Sequence, residues 1–378
     1  MTLHQFSFPT QIYFGPGARN SVANYLKDHQ VKRPLVVTDR DVFRLPFFEE
    51  FVSTLRKAQL ESQVYSEVVG NPVKSQVTKG IDSYRAHKAD GIVAIGGGAP
   101  LDVAKAIALM IHHPGDLFDY EDGRGRPMDQ KIPLWIGLPT TSGTGSEVGR
   151  STVISDDQSH VKKVIFSPKL LAQAVFADPE LTLALPPKVT AATGMDALTH
   201  CVESYLAKDY HPMCDGIALE GLRIISKNLS KAVEDGKNLE ARSAMMMAAI
   251  MGAVAFQKGL GLTHSCAHAL STVADLHHGL ANGIMIDHAL SFNVSACPER
   301  FVQMAVTIGL KQLSPELFLD WLTNLKKSIG IPQKLSQVGV QKSQIETLVD
   351  VAIHDGCHAN NPRAVSRYDF LDIFTKAF

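Results

Sequence analysis

Two rhythms in the sequence predict an α/β N-terminal domain with a doubly wound, largely parallel, Rossmann-like sheet, followed by an all-α C-terminal domain. Up to Ala177, short β-branched runs alternate with helix-forming segments; from Pro187 to Phe378 β runs almost vanish, and stretches rich in Ala, Leu, Met, Lys and Glu follow one another. The length agrees, because 378 residues exceed what one hydrophobic core usually supports. The domains are expected at 1–185 and 186–378, divided near ADPELTLALPP.

In chain order, FGPGARNSVANYLKD is a turn at Gly15 to Gly17 followed by a helix, and PLVVTD is a strand ending in Asp39. A continuous apolar run of this kind suits a strand buried on both faces of a parallel sheet. A helix through FFEEFVSTLRKAQL, a strand in SQVYSEVVGNP and a helix through SQVTKGIDSYRAHK continue the βαβα alternation. In ADGIVAIGGGAPLDVAKAIALMI a strand, three glycines and a helix with Pro100 near its first turn succeed one another, and LWIGLPTTSGTGSEV is a further strand and loop. Ligands of such sheets bind beyond the carboxyl ends of the strands.

With 45% hydrophobic and 20% charged residues and a formal charge of -1, the composition is that of an ordinary globular enzyme or binding protein, with no basic excess for nucleic acid. MTLHQFSFPTQIYFGPG lacks the features of a signal peptide, and the uncharged run Ser243 to Gln257 is shorter than a membrane span, so a cytoplasmic protein with no membrane partner is expected. The five cysteines show no pairing rhythm and are expected to be reduced thiols.

The helical half concentrates Asp196, His200, His264, His268, His277 and His278 between Thr190 and Gly283. Asp196 and His200, like His264 and His268, are four apart and so share a helix face. One carboxylate with several imidazoles suits a divalent transition metal, iron and zinc both being admissible. A single histidine on an apolar helix face is ordinarily a satisfied core residue. Burying this whole group without a shared partner would cost several kcal/mol.

On the sheet side, Gly96, Gly97 and Gly98 lie between a strand and a helix, where bare amides and the helix end can hold a pyrophosphate; a tight reversal alone would also call for glycines. Thr140, Thr141, Ser142, Thr144 and Ser146 form a second loop of hydroxyl donors. Asp39 could accept hydrogen bonds from a ribose and repel the extra phosphate of NADP, or serve as a helix cap.

At these motifs the chain resembles the iron-containing (group III) alcohol dehydrogenases, within the dehydroquinate synthase-like superfamily. The resemblance runs nearly end to end through FGPGA, GGGAPLDVAKAIA, PTTSGTGSEV, DPELTLALPP, TGMDALTHCVESY, GLGLTHSCAHALS, HHGLANG and NNPR. It implies an NAD(P)-binding N-terminal domain, a helical metal-binding domain and catalysis in the cleft between them. Carried over by position, the metal ligands are Asp196, His200, His264 and His278, and His268 is the catalytic histidine near the nicotinamide. Asn71, Asp102 and Lys163 match cofactor-side positions, with a turn, a helix cap and a surface charge as their structural alternatives. The expected reaction is reversible hydride transfer between a small primary alcohol or diol and a nicotinamide coenzyme, with Asp39 favouring NAD over NADP. The implied metal is Fe2+, with Zn2+ or Ni2+ able to share the ligands, and a homodimer or larger homo-oligomer is implied. A lyase like dehydroquinate synthase would need more Lys and Arg near the histidines than this chain has. Two departures are Ala99, where the family commonly has Ser, and Gln257, where many relatives have Asn. Phe256, Leu262 and Cys357 are candidate pocket residues.

Overall fold

The computed structural model describes residues 6–8 and 10–378. Eight strands occur among these: β1 (Gln11–Phe14), β2 (Pro34–Asp39), β3 (Gln63–Val68), β4 (Gly91–Gly96), β5 (Trp135–Pro139), β6 (Ser151–Ser155), β7 (Lys162–Phe166) and β8 (Ala174–Ala177). The helices of the same half are α1 (Val22–Asp28), α2 (Arg40–Phe43), α3 (Pro46–Lys57), α4 (Lys74–His87) and α5 (Gly98–Met110). The helical half has α6 (Pro187–Leu206), α7 (Pro212–Glu234), α8 (Leu239–Ala255), α9 (Leu262–Ala274), α10 (His278–Asn293), α11 (Pro298–Thr307), α12 (Pro315–Ser328), α13 (Ile345–Ala352) and α14 (Arg367–Ala377). Contacts group the chain into two units. One comprises the described residues of Pro9–Thr141 with Gly145–Ala184; the other comprises Leu185–Phe378, Ser142–Thr144 and the described residues up to Phe8.

The α/β unit carries a six-stranded sheet in the order β1-β8-β5-β4-β2-β3, parallel throughout. One face packs Val36, Val93, Ile95, Ile136, Leu138 and Phe176 against Leu26 of α1 and Phe48, Phe51 and Leu55 of α3. The alternate residues Leu35, Val37, Ile92 and Ala94 are equally buried, with α4 and α5 on the strands. Burial on both faces explains why these strands read as unbroken apolar runs. The short strands β1 and β8 and the antiparallel hairpin β6–β7 were not anticipated from the sequence. β1 and β8 span only four residues each, too short to show a period.

In the helical unit, every residue of α6 from Thr190 to Leu206 is buried, the signature of a helix packed on all sides. Helices α7, α8 and α10 surround it. The apolar stretch Leu239–Lys258 is long enough to cross a membrane by length and composition but is mostly buried in this packing. α10 approaches α6 closely: a Cβ on Gly279 would lie 2.4 Å from the carbonyl oxygen of Ala192 and 3.2 Å from Cβ of Asp196. That backbone contact cannot yield as a flexible side chain would. Gly279→Ala is therefore expected to destabilise the protein by about 1–3 kcal/mol, read as a lowered midpoint in thermal unfolding; an unchanged midpoint would contradict this packing.

Candidate functional site

Within the helical unit, α6 presents Asp196 and His200 one turn apart, α9 presents His264, and α10 presents His278 at its first residue. One ligand atom from each of Asp196, His200 and His264 lies within 4.8 Å of the others. His278 Nε2 is 3.5 Å from Asp196 Oδ1, and the His264 and His278 rings are 5.4 Å apart. The amide nitrogen of Asn282 lies among three of them, at 2.8 Å from Asp196 Oδ1, 3.2 Å from His278 Nε2 and 3.4 Å from His264 Nε2, and His200 Nε2 is 3.9 Å from Asp196 Oδ1. These four residues, drawn from three helices, thus converge.

The donor set fits a divalent cation. Asp196, His200 and His264 are almost wholly buried, where an unbalanced carboxylate is costly. Burial drives the His200 pKa down to about 4 against the opposing pull of Asp196, so its imidazole is neutral and keeps a lone pair. The Nδ1 of His264 sits 2.7 Å from Glu203, which holds the proton there and leaves Nε2 as the electron donor. Burial alone would raise the Glu203 carboxyl, yet hydrogen bonds from His264 and from neighbouring backbone hold it below its ordinary value.

His268 follows one turn after His264 and stacks on His278 with ring centres 5.2 Å apart. It donates Nδ1–H to Asp355 at 2.7 Å, and Asp355 also accepts from Ser265 Oγ at 2.7 Å and from Cys357 N at 2.9 Å. Burial would raise the Asp355 carboxyl, but the hydrogen bonds from His268, Ser265 and the Cys357 amide hold it well below the usual carboxylate range. His277 instead caps α10 through the Leu280 amide. Phe256 lies against the His200 ring at 5.1 Å, Cys357 lies beside His268 and Asp355, and Leu262 belongs to the core. Glu203, Asn282 and Asp355 were not singled out from the sequence. Glu203 carried a signal, falling three residues after His200 on the same helix; Asp355 is 87 residues from His268 and carried none.

In the α/β unit the parallel register levels the strand ends. Gly96 pairs with Pro139, and the Thr140 amide donates to the Gly96 carbonyl at 2.9 Å, which sets the two loops side by side. Successive strands run from β2 to β3 on one side and return to β4 on the other, making β2/β4 the topological switch point, where such sheets bind ligands. Asp39 and Gly96 flank it. Asp39 Oδ1 caps α2 through the Asp41 and Val42 amides, so the capping role is observed, while Oδ2 lies 3.1 Å from where a Cβ on Gly96 would stand. Gly97 is the N-cap of α5, Gly98 its first residue and Ala99 its second; Thr141 packs against Gly97, leaving room for no larger side chain without displacement.

The other cofactor-side candidates are placed differently. Asp102 accepts from Ser146 Oγ at 2.5 Å and from Val153 N at 3.0 Å, and buried Lys105 donates to Ser146 Oγ at 2.9 Å and to the Ser151 carbonyl at 2.8 Å. This network braces the loop onto β6. Lys163 pairs with Glu121 at 3.1 Å over the Phe118 ring, and Asn71 sits in the turn before α4. Ser142 and Thr144 group with the helical unit, where Gly143 presses on Thr193 of α6. Gln257, one of the departures noted above, accepts from the Ser7 amide at 3.0 Å.

Comparison with known proteins bears on what this arrangement is. The family profile for iron-containing alcohol dehydrogenase matches residues 9–179, and that for the C-terminal part of the Fe-containing alcohol dehydrogenase family matches residues 190–378. The chain is 35% identical to 1,3-propanediol dehydrogenase of Citrobacter freundii, with both chains fully covered. It is also 35% identical to the NAD-dependent methanol dehydrogenase of Bacillus methanolicus, covering 98% of this chain and 99% of that one. The crystal structure of a 1,3-propanediol oxidoreductase superposes over the full length of both chains with a TM-score of 0.96 at 34% identity. Matched along both halves by family and by structure, the chain belongs to the iron-containing alcohol dehydrogenase family and is a metal-dependent oxidoreductase acting on alcohols.

Proposed function

We propose that this enzyme interconverts a small primary alcohol or diol and its aldehyde with NAD as hydride acceptor, using Fe2+ held by Asp196, His200, His264 and His278. The observation that carries the reading is the gathering of three imidazoles around the Asp196 carboxylate. Zn2+ or Ni2+ would suit the same donors. When bound, the metal supplies Lewis acidity, which lets a substrate hydroxyl ionise near neutral pH.

The side chains supply the rest. Asp196 offsets part of the cation's charge, and the neutral His200 adds a donor without adding charge. His268, oriented by Asp355 through Nδ1, keeps Nε2 available to take the alcohol proton or return it. NAD would lie with its pyrophosphate on the amides of Gly96, Gly97 and Gly98 at the start of α5, within reach of Thr140 and Thr141. Asp39 would accept from the adenosine ribose through Oδ2 and repel a 2′-phosphate. Asp102 and Ser146 act by bracing this loop region, and Asn71 and Lys163 complete the cofactor side of the α/β unit. The substrate class is supported by relatives named for 1,3-propanediol and methanol, and NAD by a relative named NAD-dependent. The five cysteines are all free, in keeping with a cytoplasmic enzyme. A homodimer or larger homo-oligomer completes the proposal.

Elemental analysis of fresh enzyme, joined to NAD and NADP reduction across short alcohols and diols, tests the reading as a whole. His268→Ala should lower kcat by about 10²–10⁴-fold with metal content retained, whereas His264→Ala should lose metal and activity together; equal metal loss in both would contradict the division of roles. Asp39→Asn keeps an acceptor for the Asp41 and Val42 amides but removes the charge, so the NAD over NADP preference should relax by about tenfold. An unchanged ratio would remove Asp39 from coenzyme choice.

A further inference from the structure

Helix α9 begins in the interior, and its first amides need acceptors that its own sequence does not provide. The N-cap is Gly261, which has no side chain. Two distant residues supply the need. Glu203, on α6, accepts from Gly261 N at 2.9 Å and His264 N at 3.3 Å through Oε2, and from Thr263 N at 2.5 Å through Oε1. Asn361, of the NNPR motif, accepts from Leu262 N at 3.3 Å and is itself locked to Asn293 by bonds of 2.9 and 2.7 Å. A Cβ at position 261 would lie 3.0 Å from Glu203 Oε1 and 3.1 Å from Asn361 Oδ1, which accounts for the glycine. A carboxylate at this end also meets the positive pole of the helix.

The same Oε2 of Glu203 that collects these amides lies 2.7 Å from Nδ1 of His264. A neutral imidazole carries its proton on either nitrogen, and only the tautomer protonated at Nδ1 can donate a lone pair from Nε2, the atom on the Asp196 side. We infer that Glu203 is a positioning residue of the metal centre: by closing the buried start of α9 and holding the His264 tautomer at once, it makes retention of the metal depend on a carboxylate that is not itself a ligand. This rests on the assignment of Asp196, His200, His264 and His278 as the ligands. Asn361 shares the capping task without touching His264, so the two residues separate helix closure from metal positioning.

The test uses the full-length protein stripped of metal and titrated with Co2+, followed by visible absorption, alongside thermal unfolding of the metal-free forms. Glu203→Gln should bind Co2+ about 10–100-fold more weakly while folded. Asn361→Ala should lower the unfolding temperature yet leave Co2+ affinity within about twofold of wild type. Should Glu203→Gln fail to fold, 15N NMR of histidine-labelled, metal-free wild type reads the point directly, with His264 expected as the Nδ1–H tautomer. Wild-type affinity in folded Glu203→Gln, or an Nε2–H tautomer in the wild type, overturns this inference alone. Wild type that takes up no Co2+ overturns the ligand assignment and the inference with it.

Discussion

The constraint on which the helical half depends is the burial of charge inside α6. This helix is enclosed from Thr190 to Leu206, yet it carries Asp196, His200 and Glu203 on one side. A carboxylate taken from water into such surroundings needs opposite charge or dense hydrogen bonding, at a cost otherwise of several kcal/mol per group. Glu203 meets the requirement with backbone amides of α9 and His264. Asp196 meets it with Asn282 and, in the proposed function, with a cation shared among three imidazoles. The need to satisfy these groups dictates where α9 and α10 must lie, and Gly279 permits α10 to come close enough.

The α/β half works through backbone rather than side chains. Parallel pairing with little stagger brings the ends of β2, β4 and β5 level, so Asp39, the three glycines and Thr140–Thr141 become neighbours although they are far apart in sequence. In the proposed function this loop would offer a phosphate its backbone amides, a contact that Ala99 leaves intact. The buried Lys105 and Asp102 pin the second loop to β6 through Ser146. Polar residues that look like ligand contacts in a motif can thus serve to hold the loop in shape.

Much of this was legible in the sequence. The apolar strands with glycine-rich ends, the change of rhythm after Ala177 and the four-residue spacings on α6 and α9 are local signals, and they indicate the sheet, the helical half and the two helix-borne pairs, Asp196 with His200 and His264 with His268. Joining His278 to the pairs, and separating His268 and His277 from them, came from family resemblance, because periodicity alone treats all the histidines alike. Asp355 and the cap formed by Glu203 and Asn361 stayed hidden, since each joins positions tens of residues apart. The sequence around Asp39 admits both ribose acceptor and helix cap, and its two oxygens are divided, one capping and one facing Gly96.

Anomalous diffraction at the iron edge, on crystals of enzyme reconstituted with Fe2+, addresses the central claim most directly. The account predicts one strong peak per chain, at bonding distance of roughly 2.0–2.2 Å from a carboxylate oxygen of Asp196 and from Nε2 of His200, His264 and His278. A peak placed instead at His268, Asp355 and Cys357, or bound by fewer than these four residues, would contradict it.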